Sequence, residues 1–312
     1  MQNLTIRQFK VFDAVARHLN YSRAAESLFL SQPAVSMQMK QLEISIGLPL
    51  LEQVNKRLRL TDAGNELLKY TRNILQQLQD MDAAFGEMKG LERGQLSIAV
   101  VSTANYFMPQ LLAKFIRLHP KINLTLSVAN RDSVIKQLDD NVADLAILGL
   151  PPKGTDMVSR VFMPNPIVVI AAPEHPFTKL KHIQPSQLTE ETFLLREIGS
   201  GTRDVVERFF SSHQMQLPAH MEMDTNEAIK QSVSANIGIG IISRQSIEME
   251  LETKRLCILD VVGFPIVRNW NIVQRKNKRL STAANAFQSF LLEEAPLLSQ
   301  TIKAANGNKS KN

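Results

Sequence analysis

The stretch YSRAAESLFLSQPAVSMQMKQLE, Tyr21 to Glu43, decides how the first part of this chain folds. It reads as two short helices joined by a tight connection. Ser22 can cap the first, Ala24 and Ala25 are small enough for a close helix crossing, and Leu28 points inward. Ser31 can cap the second, and Pro33 falls in its first turn, where a missing N–H costs little. Val35, Met39, Leu42 and Ile46 follow at helical spacing and give one apolar face. The opposite face carries Gln32, Ser36 and Lys40, hydrogen-bonders and a cation with no acid among them. Such a face can meet base edges and phosphates in a major groove. Taken alone, the pattern fits an ordinary helical hairpin equally well.

The context separates these readings. AAESLFLSQPAVSMQMKQLE, IGLPLLEQ and RLRLTDAG resemble the N-terminal signature of the LysR-type transcriptional regulators. The likeness covers Leu4 to Gly64 nearly continuously, and the arrangement downstream fits to about residue 300. Leu51 stands where the family usually has Phe, a conservative core change. Gln53 stands where it usually has Arg, which removes a phosphate contact beside the wing. The resemblance implies an α/β protein with an N-terminal winged helix-turn-helix, a long dimerisation helix, and a two-subdomain effector domain like a periplasmic binding protein. Ser22, Arg23, Ser31, Gln32, Pro33, Ser36, Lys40, Lys56, Arg57 and Arg59 are the candidate DNA-binding residues.

Composition sets the outer bounds. A chain of 312 residues exceeds one average domain, and 44% hydrophobic with 21% charged residues marks an ordinary globular protein. One cysteine, Cys257, excludes an intrachain disulfide or a cysteine-clustered metal site and suits a reducing cytoplasm. The N-terminus MQNLTIRQFK lacks a signal-peptide apolar run, and no stretch is long enough to span a membrane. Residues 1–60 carry 8 Lys+Arg against 4 Asp+Glu, whereas 94–302 carry 21 against 20. The basic excess therefore sits with the helix-turn-helix pattern, as a phosphate-binding surface requires. The lysines of 303–312 read as a flexible basic tail.

Around that pattern, Thr5 and Gln8 have capping-box spacing at the start of a first helix striped by Phe9, Phe12, Val15 and Ala16. Gly47 stops the second of the paired helices. QVNKRLRL, Gln53 to Leu60, reads as a hairpin with Asn55 near its tip and Lys56, Arg57 and Arg59 as a basic wing. Thr61 caps a long helix to about Lys89. Leu67, Thr71, Ile74, Leu78, Met81, Phe85 and Met88 recur on it at heptad spacing, and self-pairing through Leu67, Ile74, Leu78, Met81 and Phe85 would bury that seam. LERGQ, Leu91 to Gln95, reads as a polar hinge.

From Leu96 strands and helices alternate, the texture of a doubly wound α/β domain. The expected strands are LSIAVV, INLTLSV, ADLAILGL, PIVVIAA, TFLLRE, AHMEM, GIGII and WNIVQRK. Helices are expected over 106–118, 133–140, 202–214, 225–235 and 281–302. The expected domains are 1–60, a linker over 61–94, and an effector domain over 95–302. Crossovers near Pro164–Val168 and Gly263–Asn269 would divide the last into subdomain I (95–165 and 268–302) and subdomain II (166–267).

No enzyme motif survives inspection. The six histidines are scattered, no phosphate-binding GxxxxGK[ST] loop is present, and Gly238-Ile-Gly240 reads as a core strand. Neither a metal nor a cofactor is expected. Two short stretches look like ligand contacts: Ser102-Thr103-Ala104-Asn105 and Gly199-Ser200-Gly201-Thr202-Arg203. Each follows a strand and precedes a helix, where N–H groups and hydroxyls can hold an anion. Simple helix capping would need the same residues, but the family places its small-molecule effector in this cleft. Ser102, Thr103, Arg196, Ser200, Gly201, Thr202, Arg203 and Asn226 are therefore the candidate effector residues.

NPIVVIAAPEHPF and LLREIGSGTR also resemble the subgroup that regulates RuBisCO operons in carbon-fixing bacteria. That likeness implies a phosphorylated metabolite or a nicotinamide nucleotide as effector. The expectation is a cytoplasmic, nucleoid-associated homodimer or homotetramer on an interrupted inverted repeat in double-stranded DNA, with RNA polymerase as a further partner. The competing classes are a LysR-type regulator of another pathway, a solute-binding protein, and a small α/β enzyme.

Overall fold

The structure, a computed structural model, describes residues 4–55, 57–88, 94–152, 156–215, 220–276 and 278–307. It separates into two compact units: Met1–Leu91 with Asp139–Val142, and Glu92–Leu138 with Ala143–Asn312.

The first unit begins with α1 (Ile6–His18), α2 (Tyr21–Ser27) and α3 (Gln32–Ile46). The capping box of α1 forms as its spacing predicts: the Gln8 N–H donates to Thr5 Oγ1 at 3.2 Å, and the Thr5 N–H to Gln8 Oε1 at 2.9 Å. The cap of α2 differs from expectation. Asn20, not Ser22, accepts from the Arg23 N–H at 3.0 Å, because the helix starts two residues earlier and takes Ser22 into its first turn. Ser31 caps α3, and Gly47 ends it at φ +82°, a conformation that favours glycine. Phe12, Val15, Ala24, Val35, Met39 and Leu42 close into one core, each fully buried large side chain contributing about 1.5–3 kcal/mol.

The wing is the hairpin β1 (Leu51–Val54) and β2 (Arg57–Leu60), with Leu51 opposite Leu60 and Val54 opposite Arg57. Its turn residue Asn55 takes φ +50°. α4 (Asp62–Met88) follows, with Thr61 Oγ1 accepting from the Gly64 N–H at 3.0 Å. The apolar stripe of α4 divides along its length. Leu67 and Leu68 pack on the winged-helix core and Thr71 is buried, whereas Ile74, Met81 and Phe85 are 39%, 47% and 57% exposed and Leu78 is half-buried. The side chain of Met88 and residues 91–93 of the hinge lie outside the described residues.

The second unit is built on one nine-stranded sheet in the order β4-β3-β5-β11-β6-β9-β7-β8, with β10 (Cys257–Ile258) beside β6. β3 (Gly94–Val101) pairs in parallel with β4 (Ile122–Ala129) and β5 (Leu145–Leu148). β7 (Phe193–Arg196) pairs in parallel with β8 (His220–Met223) and β9 (Ile239–Ser243). Two long antiparallel strands, β6 (Met157–Ala171) and β11 (Ile266–Arg275), join the halves; β6 contains Pro164–Val168, and β11 begins within the Gly263–Asn269 segment. The helices are α5 (Met108–Leu118), α6 (Arg131–Asp139), α7 (Gly201–Ser212), α8 (Asn226–Ser234), α9 (Glu248–Glu252) and α10 (Thr282–Gly307).

One core gathers Leu96, Ile98, Phe115, Trp270 and Phe287 in the first half; another gathers Val169, Phe193, Phe209, Phe210 and Ile241 in the second. Gly238 lies where a Cβ would meet the Thr192 carbonyl oxygen at 2.2 Å, so its glycine answers to close backbone packing. Two expectations are corrected. The helix over 106–118 begins at Met108, because Ser102–Tyr106 forms a 3-10 turn first. The last helix runs to Gly307, five residues into the segment read as a flexible tail; residues 308–312 lie outside the described residues.

Candidate nucleic-acid interface and ligand cleft

On α3, the apolar residues Val35, Met39 and Leu42 turn to the core, which leaves Gln32, Ser36 and Lys40 on the outer face. Gln32 Nε2 donates to Ser36 Oγ at 2.9 Å, an exposed pair one turn apart. Ser22, Arg23, Ser31 and Pro33 are exposed as well. In the wing, period-two alternation sends Leu58 and Leu60 toward the core and leaves Arg57 and Arg59 exposed on the other face. Gln53 lies opposite Leu58, on the face away from Arg57 and Arg59. Lys56 lies outside the described residues. Glu43 of α3 fixes where the wing starts: its Oε1 accepts from the N–H groups of Leu50 at 2.8 Å and Leu51 at 3.3 Å.

In the second unit, the carboxyl ends of β3, β5 and β7 converge on a cleft that opens to solvent. Ser102 and Thr103 line it after β3, Gly149 and Leu150 after β5, and Arg196 and Glu197 at the end of β7. Ser200, Gly201 and Thr202 bring in the start of α7; Asn130 and Arg131 bring in the start of α6. Arg268 and Trp270 on β11 close the remaining side. Ser200 Oγ accepts from the Thr202 N–H at 3.3 Å, and Gly199, at φ +87°, makes the turn that leads into the helix. Two α-helix N-termini at one cleft favour an anion.

The sequence profile of the bacterial regulatory helix-turn-helix protein, lysR family, matches residues 6–65, and that of the LysR substrate binding domain matches residues 89–296. The chain belongs to the LysR family of DNA-binding transcription regulators. It is 50% identical over 293 residues to a RuBisCO operon transcriptional regulator of Allochromatium vinosum, covering 94% of this chain and 97% of that one. The regulatory domain of CcmR from Synechocystis PCC6803, solved in complex with 2-PG, is 36% identical with a TM-score of 0.63, covering 65% of this chain and 98% of that one. Full-length OxyR from Pseudomonas aeruginosa, solved as a point variant, shares the fold at 20% identity and a TM-score of 0.74, over 94% and 95% of the two chains.

Within this LysR-family regulator, the cleft gathers Ser102, Thr103, Arg196, Ser200, Gly201 and Thr202, but not Arg203 or Asn226. Arg203 is corrected outright. Its guanidinium turns into subdomain II, donating to Glu207 at 2.7 Å, to Glu222 at 3.2 Å and to the Arg196 carbonyl at 3.1 Å. The helical step from Arg203 to Glu207 makes that pairing local, so the side chain follows the helix flank and not its N-terminus. Asn226 is buried behind the wall, accepting from Arg196 Nη1 at 2.7 Å and donating to Thr103 Oγ1 at 3.2 Å.

Arg196 is lodged in the same network. Its Nε and Nη2 grip both oxygens of Glu197 at 2.6 and 2.8 Å, and Nη2 also reaches Ser102 Oγ at 3.3 Å. These contacts tie β3's end to β7 and α8, across the two halves. A third tie lies beside them: Lys230 stands 4.7 Å over the Tyr106 ring while donating to Glu227 and Glu250, each at 2.8 Å. Burial alone would lower the Lys230 pKa, but the bonds to Glu227 and Glu250 outweigh it and the ammonium is held above its ordinary value.

Arg131 and Arg268 were not among the sequence-based candidates. Arg268 could have been found from the alternation of IVRNWNIVQR, which puts it on one face with Trp270. Arg131 carried no local signal. Among the described residues, no group of three or more His, Cys, Asp or Glu side chains could hold a metal ion, and no helix is long and apolar enough to cross a membrane.

Proposed function

We propose that this regulator controls carbon-fixation genes and answers to a phosphorylated metabolite held in the cleft. The observation that carries the proposal is the 50% identity to a RuBisCO operon regulator, which runs through the DNA-binding and the ligand-binding halves alike. The likeness to a regulatory domain solved with 2-PG supports the choice of ligand class, as do the helix N-termini and hydroxyls that line the cleft. In this reading Gln32 and Ser36 contact bases, Arg57 and Arg59 contact phosphate or the minor groove, and Ser22, Arg23, Ser31, Pro33, Lys40 and Lys56 support them. The ligand sits between Ser102-Thr103 and Ser200–Thr202, and binding favours one relative orientation of the two halves. Two copies pair through α4, further contacts extend the dimer to a tetramer, and the protein acts at the nucleoid.

Footprinting on the DNA upstream of RuBisCO genes, with a metabolite panel, tests this. Sugar phosphates, phosphoglycolate and nicotinamide nucleotides are the compounds to include. The expected result is a protected interrupted inverted repeat whose footprint changes with a phosphorylated compound. Protection that responds only to neutral or cationic metabolites would retire the ligand assignment and point to another pathway.

A further inference from the structure

The arginines around the cleft differ in whether their charge is already matched. Arg196 grips the Glu197 carboxylate with two bonds, and Arg203 is held by Glu207 and Glu222. Arg131 and Arg268 are anchored by backbone carbonyls instead. Arg131 Nε donates to the Leu150 oxygen at 3.2 Å, and Arg268 Nη1 to the Gly201 oxygen at 3.5 Å. A carbonyl orients a guanidinium without neutralising it. Among the described residues Arg268 has no ion-pair partner, and Arg131 has only Asp132 at 3.9 Å, a carboxylate whose side chain is 81% exposed and screened by water. Arg268 is half-buried in cationic surroundings. Burial first, then Arg208 and Arg131, push its pKa below the ordinary guanidinium value, with Asp204 opposing. It stays charged, so the site is one where a cation lacks an anion.

We infer that Arg131 and Arg268 form a second anion subsite of the cleft, so that the ligand carries two separate anionic groups. The inference rests on the phosphorylated-ligand reading above and extends it. The phosphate takes the Ser102-Thr103 and Ser200–Thr202 end, where hydroxyls and N–H groups converge. A carboxylate or second phosphate takes the guanidinium end, where each planar fork can bind two oxygens at once. Arg131 belongs to the first half of the domain, and Arg268 reaches the start of α7 in the second. One ligand group bound by both therefore bridges the halves. Arg196 holds the cleft wall in shape and leaves recognition of the ligand charge to the other two.

Isothermal calorimetry on the full chain tests the subsite with two probes: phosphoglycolate, with a phosphate and a carboxylate, and ethyl phosphate, with the phosphate alone. The wild type should bind phosphoglycolate more tightly by about tenfold or more. Arg268→Gln and Arg131→Gln should each erase roughly that factor for phosphoglycolate while changing ethyl phosphate by less than about twofold. Arg208→Gln, which removes a nearby exposed cation, should leave the ratio of the two affinities unchanged. Equal affinity of the wild type for both probes, or parallel losses for both in the two variants, would overturn the subsite and leave the phosphate reading standing. A wild type that binds neither probe would remove both.

Discussion

Gln32 and Arg59 are both exposed, and the proposed function assigns them different work. Gln32 stands on the outer face of α3 with Ser36, where an amide could read a base edge; Arg59 stands exposed on the wing, where a cation could meet backbone phosphate. Gln32→Ala should lower affinity by about 1–3 kcal/mol for the cognate half-site and relax specificity at one position. Arg59→Ala should weaken all sequences alike and flatten the salt dependence. Binding across a panel of mutated sites separates the two; identical profiles would refute the division. Glu248 offers a test of another kind. Its carboxyl is pushed up by burial, with Arg244 opposing and Glu252 adding to the rise, and its buried Oε1 has no hydrogen-bond partner. The folded state therefore binds the proton more tightly than the unfolded chain, and stability from this group is lost as pH rises through the folded pKa. Glu248→Gln should raise the melting temperature at pH 7, with the gain shrinking as the pH falls through the raised folded pKa and gone below the ordinary carboxylate range. A variant melting below wild type at pH 7 would contradict that account.

Among the elements, α4 carries the next prediction. Ile74, Met81 and Phe85 lie in solvent along its distal turns, and an exposed apolar stripe on a long helix calls for a partner. Leu78→Asp with Phe85→Asp would place unpaired charges in the seam and should give monomers by analytical ultracentrifugation. Sedimentation unchanged from wild type would move the interface elsewhere. The apolar stripe was legible because heptad spacing is a local pattern. Its division was not, since which turns the winged helix covers depends on how α1 and α4 meet: Arg72 of α4 donates to Asp13 of α1 at 3.3 Å, across 59 residues of sequence. The same contrast holds in the cleft. Ser200 and Thr202 announced themselves through a glycine-rich strand-to-helix turn. Arg203, read from the same turn, pointed elsewhere because Glu207 and Glu222 capture it, and only one of those is a sequence neighbour. Arg131 and Arg268 belong to segments over a hundred residues apart, so only the folded sheet brings them to one cavity.

At the scale of the whole regulator, the proposed ligand would act by favouring one arrangement of the effector domain over another. The ties from Ser102 to Arg196, from Thr103 to Asn226 and from Tyr106 to Lys230 all leave one short 3-10 turn, and the proposed anion would compete with them there. A ligand at a hundred times its dissociation constant should stabilise the fold by about 2.7 kcal/mol, seen as a rise in melting temperature. An unchanged melting temperature at such a concentration would argue against binding to the folded state. The most direct test of the central claim is fluorescence anisotropy on a promoter fragment, titrated with salt in the presence and absence of saturating phosphoglycolate. The logarithm of affinity should fall by about 0.9 per neutralised phosphate for each tenfold rise in salt. Phosphoglycolate should displace the wild-type line and leave the Thr202→Ala line in place. A line flat in salt, or one displaced equally in the wild type and the variant, would contradict a DNA-binding regulator that senses its metabolite in this cleft.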